Sequence, residues 1–260
     1  MAARSFSVLA SLLAVASASP CKLPNYALPS TGTGTELPAA AAGLSVLKIA
    51  VGHGIQNYTC SSTTASTVAT GALAVLYDIT NLYPGTASTG LSADAFNALS
   101  GNVLWGQDIP LNLQTSSAAS PGSEKTPNVL AEADYGAVIA DPFPSPSSLS
   151  LPGILTAEAP FLGHHYFDAT GVPTFDLSSV GLFGSVNKTG DVKAPSTADT
   201  GILASGAVDW LQLTDNGSGL SVGIKQVYRV ITAGGASETC SVLNAASGSV
   251  PYTAFYWFFG

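Results

Sequence analysis

The chain closes with VPYTAFYWFFG (250–260), and from Ala254 to Phe259 the residues are apolar on both alternating faces. Successive side chains of a strand point to opposite sides, so a strand with one wet face alternates polar with apolar. A run that is apolar on both sides reads as a strand buried between two layers of protein. A lipid-anchor signal competes for such a tail, but it needs a polar spacer before a longer apolar stretch. None precedes this one.

The rest of the chain supplies neighbours for that strand. LSVLKIAVGHGIQNYTC (44–60) reads as one or two strands, and VATGALAVLYDIT (68–80) as another before the turn signal Tyr83-Pro84-Gly85. APFLGHHYFDATGVPTFDL (159–177) reads as a hairpin turning at Ala169-Thr170-Gly171. AVDWLQLTDNGSGLSVGIKQVYRVITAGG (207–235) reads as a second, turning at Asp215-Asn216-Gly217. Val222, Ile224, Tyr228 and Val230 share one face of its second strand, with Lys225, Val227, Arg229 and Ile231 on the other. SADAFNAL (92–99) suits a short helix capped by Ser92. Residues 114–126 and DPFPSPSSLSLP (141–152) are Ser/Pro-rich loops. No internal repeat is visible. The expected fold is all-β, a single-domain sandwich or barrel over residues 44–260 with long Ser/Pro-rich loops.

The N-terminus has a different character. Arg4 precedes the apolar run Phe6–Val15 and then Ala16-Ser17-Ala18. That order predicts a secretory signal peptide at 1–18, cut after Ala18. Residues 19–43, rich in Pro, Thr, Gly and Ala, read as an extended leader. Within it TGTGTEL (31–37) mimics a dinucleotide fingerprint, but Leu37 stands where the third glycine belongs and no strand precedes it.

Sixteen acidic against eight basic residues give a formal net charge of −8, and only 9% of residues are charged. With no basic cluster, nucleic acid and membrane surfaces are excluded as expected partners. Sequons at Asn57, Asn187 and Asn216 fit an exported chain carrying glycan. Of three cysteines, Cys60 and Cys240 each sit at a strand edge and are the favoured disulfide, although Cys21 could displace either.

Read together and in order, GHGIQNYTC (52–60), HHYFDATGVPTFDL (164–177), AVDWLQL (207–213), VYRVITAGG (227–235) before Cys240, and VPYTAFYWF (250–258) resemble the DUF3455 family. Its members are secreted fungal and bacterial proteins of unknown function, so the resemblance implies a fungal exported protein. It also implies recurring positions at His165, Tyr166, Trp210, Arg229, Thr232, Gly234, Gly235, Cys240, Tyr252 and Tyr256. It supplies no catalytic residue. Fungal relatives often bear the label malate dehydrogenase, which this sequence does not support, because no nucleotide-binding βαβ unit is present. The family pattern often has a cysteine after the LYD strand; here Leu76-Tyr77-Asp78-Ile79-Thr80-Asn81 has none, leaving Cys21 without an obvious partner.

His164 and His165 frame the chemical question. On a strand they face opposite ways, so one metal cannot take both. A metal would need one of them with His53 and a carboxylate such as Asp168 or Asp176, and no spacing selects that set. The predicted mature N-terminus, Ser19, excludes copper chemistry based on an N-terminal histidine. No G-x-S-x-G elbow occurs, and Ser218 lies in a turn. Paired carboxylates could come from Glu158, Asp168, Asp176 or Asp209. The simpler reading is structural: His165 and Tyr166 form a buried polar cluster with Arg229, which Asp176 or Asp209 pairs bidentately. Asp78, Asp134 and Asp141 read as turn or solvent residues.

Two functional classes follow. One is a non-catalytic extracellular protein at a cell wall or host surface, with a wall glycan or host surface component as partner and no cofactor. The other is a secreted hydrolase or metal-dependent enzyme centred on His165, with Asp176 and Arg229. They differ in where His165 should lie. An enzyme needs it in an open pocket with a carboxylate in reach; the structural reading buries it with satisfied partners.

Overall fold

The computed structural model describes residues 25–86, 89–114 and 130–260. The predicted signal peptide, Cys21 and most of the first Ser/Pro-rich loop lie outside the described residues. Eight strands, β1 (Val46–Thr59), β2 (Val68–Asp78), β3 (Phe161–Phe167), β4 (Pro173–Leu177), β5 (Leu182–Val192), β6 (Trp210–Asp215), β7 (Gln226–Gly234) and β8 (Ser247–Phe259), pair in sequence order, and β8 returns to pair with β1. Every pairing is antiparallel. Of the two expected architectures, the chain adopts the closed barrel. A nucleotide-binding parallel sheet is absent among the described residues.

The double-sided apolarity of β8 now has its cause. Ala254, Tyr256 and Phe258 point into the barrel with Leu76, Phe175, Leu177 and Val227. Phe255, Trp257 and Phe259 point outward, and they too are buried. The outer layer over them comes from two short helices, α1 (Ala93–Asn97) and α2 (Leu99–Gly106), which contribute Phe96, Leu99 and Val103. Ser92 caps α1 by accepting from Ala95 N at 3.2 Å. Helix α2 escapes the sequence reading because Gly101, Asn102 and Gly106 dilute its helical signal. The segment read as a leader joins the same layer from residue 26. Tyr26 meets Trp257 edge-on at 6.5 Å, and the Tyr228 hydroxyl donates to Pro38 O at 3.0 Å. The fingerprint-like TGTGTEL wraps its own acid: Glu36 accepts from Thr31 N, Gly32 N and Ser30 Oγ, which lowers its pKa to about 2.

Several expectations change in detail. Residues 44–60 hold one long strand rather than two. The second hairpin turns not at three residues but through 216–225, where Val222 exchanges backbone hydrogen bonds with Phe183 of β5. Loop 141–152 buries Leu149 and Leu151 against the outer core. Of the acids read as turn or solvent residues, Asp78 is a turn residue, accepting from Thr80 N, and it also pairs with Lys48 at 2.7 Å.

Cys60 and Cys240 form a disulfide with Cα atoms 5.7 Å apart, spanning 180 residues. Cys240 opens the one-turn helix α3 (Cys240–Leu243), and Cys60 follows the end of β1, so the bond ties the β1 end to the segment entering β8. Replacing both by serine is expected to cost about 2–4 kcal/mol and lower Tm by roughly 5–15 °C in calorimetry. An unchanged Tm would mean that the strand pairing alone provides the closure.

Candidate functional site

Alternation along the strands sorts the barrel interior into two halves. At one end Leu76, Leu162, Leu177, Ile224, Val227 and Phe258 fill the lumen. At the other, the C-terminal ends of β1, β3, β5 and β7 meet the N-terminal ends of β2, β4, β6 and β8 around a cavity of about 620 Å³. Its walls include Gln56, His165, Phe167, Phe175, Arg229 and Tyr256, and its rim carries Lys188, Lys193 and Asp209.

His165 reaches this cavity because it pairs with Ala74 and Phe175 on the inner face of β3, whereas His164 pairs with Val75 and Asp176 on the outer face. The His165 ring stacks on Phe175, with centroids 4.2 Å apart and planes 9° from parallel. Its Nδ1 lies 2.9 Å from Thr174 O. A carbonyl can only accept, so Nδ1 carries the proton and Nε2 keeps a free lone pair. Burial lowers the pKa to about 4, helped by the charge of Arg229 and partly opposed by the Thr174 carbonyl. His165 is therefore a neutral acceptor at ordinary pH.

Arg229 faces inward from β7 and is 8% exposed. Its Nε and Nη2 donate to the backbone oxygen of Asp209 at 3.2 and 2.9 Å, and Nη1 donates to Gln56 Oε1 at 3.2 Å. Gln56 is held in that orientation because its amide nitrogen donates to Gly71 O. The Tyr256 hydroxyl lies beside the guanidinium and is 2.8 Å from the Tyr252 hydroxyl. Burial raises the pKa of both tyrosines. No carboxylate of the described residues pairs with Arg229.

Two expectations are corrected here. Neither Asp176 nor Asp209 pairs with Arg229 through its side chain: Asp176 is on the outside of the barrel, and the Asp209 carboxylate takes Lys193 at 3.0 Å. Tyr166 does not share a cluster with His165, because neighbouring residues of a strand face apart; it lines a second, outer cavity with His164 and Phe143. Nor do the histidines converge. His53 is buried on the outer face of β1, where burial lowers its pKa to about 3, and His164 stacks on Phe143 at 4.0 Å. Among the described residues no group of three or more His, Cys, Asp or Glu side chains could hold a metal ion. Asp168 shapes the β3–β4 turn, accepting from Thr170 N and Val172 N, and Glu158 is exposed.

Of the sequon asparagines, Asn187 is exposed on β5. Asn57 is half-buried and accepts from Ser249 Oγ, and Asn216 donates its amide to Ser185 Oγ at 2.8 Å. The sequence reading passed over Gln56, Phe167, Phe175 and the two rim lysines as site residues. Only Gln56 left a trace, as a polar residue on the same strand face as Gly52 and Gly54.

A family model described as "Protein of unknown function (DUF3455)" matches residues 40–260, most of the chain. No curated protein and no solved structure matches it.

Because His165 is held neutral, the unfolded chain protonates it first as pH falls from 6.5 toward 4, and folding loses stability over that window. The contribution is fully present above pH 6.5 and is lost on acidification. In denaturant titrations, the stability gap between wild type and His165→Gln should therefore shrink by roughly 2–3 kcal/mol between pH 7 and pH 4.5. A gap independent of pH would show that the imidazole is not buried in its neutral form.

Proposed function

The chain belongs to the DUF3455 family, and on that premise we propose that it is an exported binding protein that takes a small organic molecule into the open end of its barrel without transforming it. The cavity of about 620 Å³ carries this reading. An eight-stranded barrel is just wide enough either to be filled by its own side chains or to hold one small ligand. Here one half is filled and the other is not. The open half combines apolar walls with a few fixed polar groups, the usual make-up of a small-molecule site, and its volume lies within the usual range for one.

Binding is favoured over catalysis by what faces the cavity. The lumen wall presents no acid–base carboxylate pair among the described residues, and Asp176, the acid the enzyme reading needs, is on the other side of the sheet. With a pKa of about 4, His165 is a weak general base near neutral pH. Residence outside the cell, at a wall or host surface, is part of the same proposal. It rests on the Cys60–Cys240 disulfide, the exposed Asn187 sequon and the N-terminal signal pattern. With its inner end packed, the cavity suits a free small molecule or the end of a glycan better than the middle of a long chain.

The neutral fluorophore N-phenyl-1-naphthylamine tests the lumen directly. The wild type should bind it saturably at one site. Leu211→Trp, which places an indole in the cavity, should weaken that binding by at least about tenfold while leaving the far-UV circular dichroism unchanged. Equal binding by both proteins, or no saturable binding by the wild type, would overturn the reading.

A further inference from the structure

We propose that the lumen ligand is a small organic acid, its carboxylate docked on the Arg229 guanidinium and its ring-sized apolar body lying against Phe167, Phe175 and Leu211. This rests on the lumen-binding reading and goes beyond it by naming the chemical class.

The first support is the state of Arg229. It is 8% exposed, and its hydrogen-bond acceptors are a backbone carbonyl and the Gln56 amide, both neutral. A buried charge without a counterion is costly to fold around, and breaking a buried ion pair is more damaging than never building one. Buried charges are normally paired, so an arginine held here by neutral groups alone is poised to take an anion. Three of the five guanidinium N–H groups are used by Asp209 and Gln56, leaving two toward Tyr256 and the cavity. A carboxylate entering the lumen would meet donors already oriented, and charge-assisted bonds of this kind are the strong ones.

The second support is the distribution of charge. The molecule is acidic overall, with eight basic residues against sixteen acidic ones. Yet Arg229, Lys188 and Lys193, three of the eight, line this one cavity, and with Asp209 in the lining and Asp191 paired to Lys188 the mouth still carries one net positive charge. The field at the mouth therefore opposes that of the whole chain and draws anions inward. Lys188 and Lys193 are exposed and lie near Asp191 and Asp209, so they steer the ligand rather than fix it.

The third support is the wall opposite the charge. His165 and Phe175 stack in parallel, and Phe167 sits 5.8 Å from His165 with its plane tilted by 55°, an aromatic wall against which a ring can pack. The free Nε2 of His165 accepts a hydrogen bond, so a hydroxyl on the ligand's body finds a partner there.

Calorimetric titration of the purified protein with 3-phenylpropionate and with its methyl ester tests this. The acid should bind roughly ten- to a hundredfold more tightly than the ester. Gln56→Glu places a carboxylate beside Arg229, 3.2 Å away in the present geometry, and supplies the counterion internally. It should remove the acid's advantage over the ester. The wild-type comparison needs no variant, so a misfolded Gln56→Glu would leave the test intact. Equal binding of acid and ester by the wild type, or an acid preference that survives Gln56→Glu, overturns the organic-acid proposal and leaves lumen binding standing. Binding of neither compound overturns both.

Discussion

The pairing of the last strand with the first is the interaction on which the rest depends. From Val46 against Phe259 to Thr59 against Ser247, β1 and β8 run together along nearly their whole lengths. Without that seam the sheet would have two long apolar edges, and the inner faces would have nothing to enclose. β1 carries glycine where its neighbours crowd it, Gly52 against Tyr256 of β8 and Gly54 against the backbone of β2. A Cβ on Gly52 would come within 2.6 Å of the Tyr256 ring, and one on Gly54 within 1.9 Å of Leu73 O. Closure also requires the strands to tilt and slip in register. Gln56 pairs with Val250 while Arg229 pairs with Tyr256, six positions further along β8, yet the Gln56 and Arg229 side chains touch across the lumen. The polar end of the barrel is thus a product of its shear.

That end sets out an unusual balance of charge. The interior holds a cation with neutral partners, an imidazole kept uncharged by burial and by the nearby charge of Arg229, and two linked tyrosine hydroxyls. Each is positioned by backbone or by a neighbouring fixed side chain, so the arrangement is preorganised. Such a site reorganises little when an anion arrives, which favours tight holding.

The sequence revealed the strands far better than their enclosure. Double-sided apolarity identified β8 as buried, and strand-edge position favoured Cys60 and Cys240 as partners. Ser92 was legible as a cap because capping is local chemistry. The choice between sandwich and barrel was not legible, because it rests on which strand β8 meets, and that is a long-range fact. The site suffered from the same limit. His165 and Arg229 stood out as rare residues in apolar strands, but Asp176 was placed with them by proximity in sequence to His165. A one-residue difference in strand parity puts Asp176 outside the barrel. Phe167 and Phe175 carried no mark of a site, since nothing local tells a lumen wall from a packed interior. The outer layer of α2 and the 26–44 segment was hidden by glycine and proline content, which masks burial acquired only through docking.

The central claim is that the barrel lumen is an anion site built on a buried arginine. Anomalous diffraction from a crystal soaked in bromide tests it most directly. The account predicts an anomalous peak inside the barrel within hydrogen-bonding distance of the Arg229 guanidinium. Bromide confined to the outer surface, with Arg229 turned to a protein carboxylate or with side chains filling the cavity, would contradict it.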